Sequence, residues 1–212
     1  MTSLQAHRDL SLWWSTLPED LVGEQRPALA GGTEADVAIV GGGYTGLWTA
    51  YYLAKADPSL RIVVLESRTA GFGASGRNGG WASALFPTSW ATVAQESSRE
   101  AAVALQRAMF ETVDEIGRVA AAEGIDCHYR KGGTISLART PLQLERARAE
   151  IAETREWGFG EDDFALLDAD AAREVVAATD VLRATYTPHC ASIHPARLVR
   201  GLARVVEGLG VT

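Results

Sequence analysis

Lysine is nearly missing from this chain, with two residues (Lys55 and Lys131) against eighteen arginines. Alanine is abundant, so the skew reads as gene base composition and carries no function. Basic residues together number 20 against 27 acidic ones, a net charge of −7. That balance excludes a non-specific nucleic-acid binder, which must neutralise phosphates. Cysteine is scarce too. Cys127 and Cys190 lie far apart in unlike contexts and read as two reduced structural thiols. No apolar run approaches the ~20 residues of a membrane span. The opening MTSLQAHRDLSLWWSTLPED has no continuous apolar h-region, so it is not a signal peptide. The expectation is a cytoplasmic protein that engages neither membrane nor nucleic acid. Composition, at 47% apolar and 22% charged, is that of a globular protein, and 212 residues suffice for one large domain or one and a half.

Several forms of chemistry are also missing. No Ser-His-Asp order, paired carboxylates or Walker loop is evident. His189, Cys190 and His194 form H-C-x-x-x-H, but three ligands at that spacing match no common structural zinc site, and no metal is expected. Glu111, Asp114 and Glu115 read as the solvated face of a helix. No residue stands out as a catalytic acid or base.

Along the chain, residues 1–35 read as an arm with an apolar patch (Leu10, Leu12, Trp13, Trp14) and then a Pro- and Gly-punctuated linker. Two adjacent tryptophans there imply that the arm docks on the body. Val37–Val40 is a continuous apolar run, suited to a strand buried on both faces. Leu47, Ala50, Tyr51 and Ala54 make one stripe of an amphipathic helix, stopped by Asp57-Pro58. Arg61–Glu66 is a second buried strand. Further on, the pattern predicts one long helix from about Thr92 to Ala122, and short strands at Cys127–Tyr129 and Gly133–Ala138. A helix opens at Pro141 and runs to about Trp157, and Asp168 caps a short one. Val181–Thr187 is a strand, and a last helix runs from Pro195 to near Gly210.

The glycines between the first strand and helix are the most informative feature. Gly41, Gly43 and Gly46 spell G-x-G-x-x-G. The first permits a tight turn, the second lets backbone approach a pyrophosphate, and the third lets helix and strand pack closely. The helix N-terminus then offers unpaired N–H groups to phosphate. Glu66 ends the second strand twenty residues after Gly46, where an acid accepts hydrogen bonds from a ribose. Its charge disfavours a 2′-phosphate. Strand, turn, helix and spacing agree on dinucleotide binding.

The loop after Glu66 contains Gly71-Phe72-Gly73-Ala74-Ser75, then Ser75-Gly76-Arg77-Asn78-Gly79-Gly80. Here the chain resembles the FAD-dependent oxidoreductases of the D-amino-acid oxidase and glycine/sarcosine oxidase superfamily. The tryptophan arm, GYTGLWTAYYL, GFGASGRNGGW and IHPARL are similar to the branch that contains gamma-glutamylputrescine oxidases. The resemblance implies non-covalent FAD, with Gly41, Gly43, Tyr44, Thr45 and Gly46 around its pyrophosphate and Glu66 at the adenosine ribose, and with Ser67 and Arg68 among the cofactor-binding residues. Ser75, Arg77, Asn78, Gly79 and Gly80 would run beneath the pyrophosphate and flavin end, and Gly73 and Ala74, which precede them, are also expected to bind the cofactor. Arg77 reads either as a fixed positive charge there or as a solvated or ion-paired residue. His194 reads as a helix start or as a neighbour of the flavin.

The implied activity is oxidation of the C–N bond of a small amine or amino-acid-like substrate, with oxygen reoxidising the flavin. The alternatives are an NAD-dependent dehydrogenase and a non-catalytic nucleotide-binding fragment. The expected fold is α/β: a parallel Rossmann-like FAD-binding sheet (36–80 and 187–212) interrupted by an α+β substrate-domain portion (81–186). A doubly wound sheet needs a third strand beside these two. Gly210-Val211-Thr212 looks like the start of one, so the chain reads as the N-terminal part of a longer one.

Overall fold

The computed structural model describes residues 5–23 and 26–212; the side chains of Gln5, Ala6 and Leu10 lie outside the description. A 3-10 turn (Gln5–Leu10) precedes α1 (Leu12–Ser15) and α2 (Glu19–Val22), then come β1 (Val37–Val40), α3 (Tyr44–Ala56) and β2 (Ile62–Leu65). A second 3-10 turn (Ala74–Gly76) leads to β3 (Trp81–Ser83), α4 (Trp90–Glu96) and α5 (Arg99–Ala122). The rest is β4 (Arg130–Lys131), β5 (Thr134–Ala138), α6 (Pro141–Glu156), β6 (Ala165–Leu167), α7 (Ala169–Val175), β7 (Arg183–Thr187), β8 (Cys190–Ser192) and α8 (Pro195–Gly208).

The chain divides into two compact units. The first comprises residues 1–81, 118–129 and 193–212; the second comprises 82–117 and 130–192. In the first, β1 and β2 run parallel with Val37 opposite Ile62 and Val40 opposite Leu65. Leu47, Ala50, Tyr51 and Ala54 are the buried stripe of α3, and α8 packs beside it. Helix α8 is buried through Leu198, Val199, Leu202, Ala203 and Val206. At Gly201 a Cβ would stand 2.5 Å from Ile125 Cγ2, so only glycine lets Ile125 lie this close. At the C-terminus the Thr212 N–H donates to Ile62 O at 3.0 Å and the Val64 N–H to Thr212 O at 2.8 Å. That is ladder-type bonding along the edge of β2.

The second unit holds an antiparallel sheet in the order β5-β7-β6 and a smaller one in the order β3-β8-β4. Helix α6 opens with a capping box, in which Thr140 Oγ1 accepts from Gln143 N and the Gln143 side chain returns to Thr140 N. Pro141 occupies the first turn, where its missing N–H costs nothing.

Several expectations require correction. The long helix breaks at Ser97-Ser98. Ser97 closes α4, and Ser98 Oγ caps the next helix by accepting from Ala101 N; short hydroxyl side chains compete for backbone bonds in this way. No strand forms at 127–129, because His128 has φ 54° and breaks the extended run. The Val181–Thr187 strand begins only at Arg183, after Asp180 at φ 57°. Strand β1 is not buried on both faces: Ala38 and Val40 are exposed, Val40 at 87%. An apolar run records that a face can be covered, not that something covers it.

Candidate functional site

The residues expected around a cofactor all lie in the first unit and converge on the C-terminal ends of β1 and β2. Gly41 sits at φ 104°, a conformation that side chains rarely adopt. A Cβ on Gly46 would meet Gly41 O at 2.1 Å and Ile39 Cγ2 at 3.1 Å. Helix α3 can therefore start against β1 only with glycine there. Gly43, the residue before α3, has no side chain to cap it. Ser75 supplies the missing group, its Oγ accepting from Tyr44 N at 2.9 Å, and a Cβ on Gly43 would lie 3.0 Å from that Oγ. The Tyr44 hydroxyl donates to Pro195 O at 3.0 Å, and burial pushes its pKa up. Thr45 is exposed on the first turn, with its carbonyl accepting from Thr49 Oγ1 at 2.8 Å.

Glu66 stands across from this turn. Its Oε2 accepts from Gly42 N and its Oε1 from Arg68 N, both at 2.9 Å, and Ser67 Oγ is 3.4 Å from Oε1. An ionised carboxylate has about four acceptor sites, so these bonds aim the group and leave capacity for a diol. A cleft of about 640 Å³ opens beside it, bordered by Gly42, Ser67, Arg68 and Leu29.

The loop that follows contains a second turn of the same build. Gly71 is at φ 81°, and a Cβ on Gly76 would meet Gly71 O at 2.1 Å, as Gly46 meets Gly41. The spacing G-x-G-x-x-G at 71, 73 and 76 is the signal in the sequence that matches this second turn. Asn78 fastens the loop, its Nδ2 donating to Ser75 O at 3.1 Å and Ala74 O at 3.3 Å, and its Oδ1 accepting from Gly80 N at 2.9 Å. Arg77 is exposed, bonds Gly73 O at 3.3 Å and lies 5.2 Å over the Phe72 ring, with Arg68 over the same ring at 5.5 Å. At Gly73 and Gly79 a Cβ would meet nothing within 4 Å, and neither has a positive φ. The protein itself gives no reason for glycine at these two positions. A side chain at either position would project into open space.

His194 caps α8. Its Nδ1 accepts from Arg197 N at 3.2 Å, which leaves Nε2–H to donate to Thr16 Oγ1 at 3.1 Å. Burial, with Arg197 and His128 nearby, lowers its pKa. His189, by contrast, is 2.9 Å from Asp163 and stacks on Phe110 at 3.6 Å. Both cysteines are free and buried. Sequence reasoning anticipated the docking of the tryptophan arm but not its contacts, since contacts between distant segments leave no periodic mark.

A βαβ unit with this glycine turn and this acid defines a dinucleotide-binding protein. The chain belongs to the FAD-dependent oxidoreductase (DAO) family, whose model matches residues 36–212. It is 37% identical over 174 residues to gamma-glutamylputrescine oxidoreductase of Escherichia coli (strain K12), covering 81% of this chain and 39% of that protein. Glycine oxidase from Geobacillus kaustophilus is 27% identical with a TM-score of 0.59, covering 84% of this chain and 45% of that one. L-Amino acid deaminase from Proteus myxofaciens, 21% identical, shares the fold at a TM-score of 0.68, covering 90% of this chain and 39% of that one. The chain spans about two fifths of the length of the curated relatives it matches. Among the described residues no helix is long and apolar enough to cross a membrane.

Proposed function

We propose that the protein oxidises the C–N bond of a small amine or amino-acid-like substrate, with FAD held by the first unit and part of the substrate region contributed by the second. The observation that carries this reading is the Glu66 carboxylate, hydrogen-bonded to Gly42 N inside the glycine turn. It supports a ribose diol held by Glu66, a pyrophosphate at the N-terminus of α3, and the Gly73–Gly80 loop beneath the remainder. FAD, when bound, supplies the acceptor for the hydride equivalent leaving the carbon beside nitrogen, and oxygen is the final oxidant.

This chain's own residues bind and orient. The N–H groups of the first turn of α3 present partial positive charge, Gly73 and Gly79 leave room, and Arg68 and Arg77 add exposed cations. A gamma-glutamylated diamine is the first substrate to try, on the likeness to the Escherichia coli protein. Two free, buried thiols support a reducing, cytoplasmic location. The NAD-dependent alternative draws no support from the family match.

Full-length protein is expected to purify yellow, to release FAD on denaturation, and to produce peroxide when given an amine. A colourless protein that binds NADH tightly overturns the cofactor. A yellow protein inert to a panel of amines overturns the reaction.

A further inference from the structure

We propose that the N-terminal arm is a working part of the cofactor site, with Trp13 positioning the Asn78–Gly80 turn. The inference rests on the reading of that turn as FAD-binding. The family match begins at Asp36, so the arm lies outside it.

The contact is specific. Trp13 Nε1–H donates to Asn78 O at 2.7 Å. The indole also fills the space that a side chain on residue 80 would take: a Cβ on Gly80 would stand 2.9 Å from Trp13 Cζ2 and 2.7 Å from Ile193 O. Gly80 itself is at φ 72°, so turn conformation and indole position are matched. The neighbouring Gly79 faces open space. The turn is thus held through residues 78 and 80 and left clear at 79.

The arm is anchored well enough to act as a support. Ser11 Oγ caps α1 by accepting from Trp14 N at 3.3 Å. Trp14 is fully buried with Leu17, Val22 and Ala196 of α8, and Trp13 packs against this cluster. The Trp13 ring meets the edge of His194 at 5.1 Å, and His194 bonds Thr16. Further along, buried Arg200 donates to Leu21 O at 3.0 Å, Val22 O at 2.9 Å and Thr69 Oγ1 at 2.8 Å. Burial lowers its pKa to about 10. A segment that merely covered apolar surface would need none of these directed bonds. The Trp13 bond in particular ends on a backbone carbonyl of a glycine turn, where one hydrogen bond selects among many conformers.

The test uses full-length protein carrying Trp13→Phe, which keeps an aromatic ring and removes the donor. The thermal midpoint of the apoprotein is expected to stay near that of the wild type. Amide hydrogen exchange at Gly80, whose N–H donates to Asn78 Oδ1, should quicken in the apoprotein, and the FAD Kd should rise about tenfold. Ser11→Ala, which loosens α1 without touching the loop, should move both readouts the same way by less. It decides the matter if Trp13→Phe does not fold. Wild-type exchange, or a wild-type FAD Kd with a lowered midpoint or quickened exchange, overturns the proposal. A wild-type protein that takes up no FAD instead overturns the proposed function, while exchange in the apoprotein still reports whether Trp13 sets the turn.

Discussion

Glu66 is the residue whose role is most open to direct measurement. Its two backbone bonds aim it but leave acceptor capacity, so Glu66→Ala should weaken FAD binding with little loss of fold. A charge-assisted hydrogen bond contributes about 1.5–3 kcal/mol, or roughly 10- to 150-fold in Kd. Titration of apoprotein with FAD reads this directly, and an unchanged Kd would mark Glu66 as a surface acid. Glu66 was legible from its spacing alone, because the ribose site lies at a fixed distance along the chain from the turn. Ser75 was legible only as part of a loop. That its hydroxyl caps α3 from thirty-one residues away depends on two loops meeting, and sequence spacing does not encode that.

At the scale of elements, the start of α3 is the most constrained joint. Gly46→Ala would drive a methyl to 2.1 Å from Gly41 O, against backbone that cannot turn aside. We expect little folded protein, read as loss of soluble expression, whereas Gly73→Ala should fold normally and show its cost only in FAD binding. Helix α8 carries a pH dependence. His194 accepts the Arg197 N–H only when Nδ1 is unprotonated, and its pKa is lowered by burial. As pH falls below about 6.5 the unfolded chain takes up the proton first, so stability declines from there down to the lowered folded value. Urea midpoints at pH 7.5 and 5.5 should therefore drop, and His194→Asn, which keeps a capping acceptor without a titrating ring, should flatten the difference. The buried stripe of helix α3 was legible, Leu47, Ala50, Tyr51 and Ala54, since it has the 3.6 period. The break at Ser97-Ser98 was not, because apolar periodicity runs on through it.

For the whole molecule, the exposed apolar ends of the sheet dominate. Val40 is 87% and Leu65 37% exposed, and β1 has a neighbour on one edge only among the described residues. Unpaired strand edges with apolar faces associate. These exposed ends and the open edge are expected to drive self-association. Size-exclusion chromatography would show it, and Val40→Lys should shift the profile toward monomer. A stable monomer without that change contradicts the expectation.

Local order was written in the sequence by itself: the strand–glycine turn–helix–strand unit, the acid at the second strand's end, the capped starts of α6, α7 and α8. Each depends on residues within a few turns of one another, where period, φ requirement and capping chemistry act directly. Tertiary structure alone decided which apolar faces are covered, where α5 returns its last residues to the first unit, and how Trp13 and Arg200 tie the arm to loop and helix. Those outcomes depend on burial and hydrogen bonds between segments distant in the chain, where many sequences of the same pattern would serve and none announces its partner.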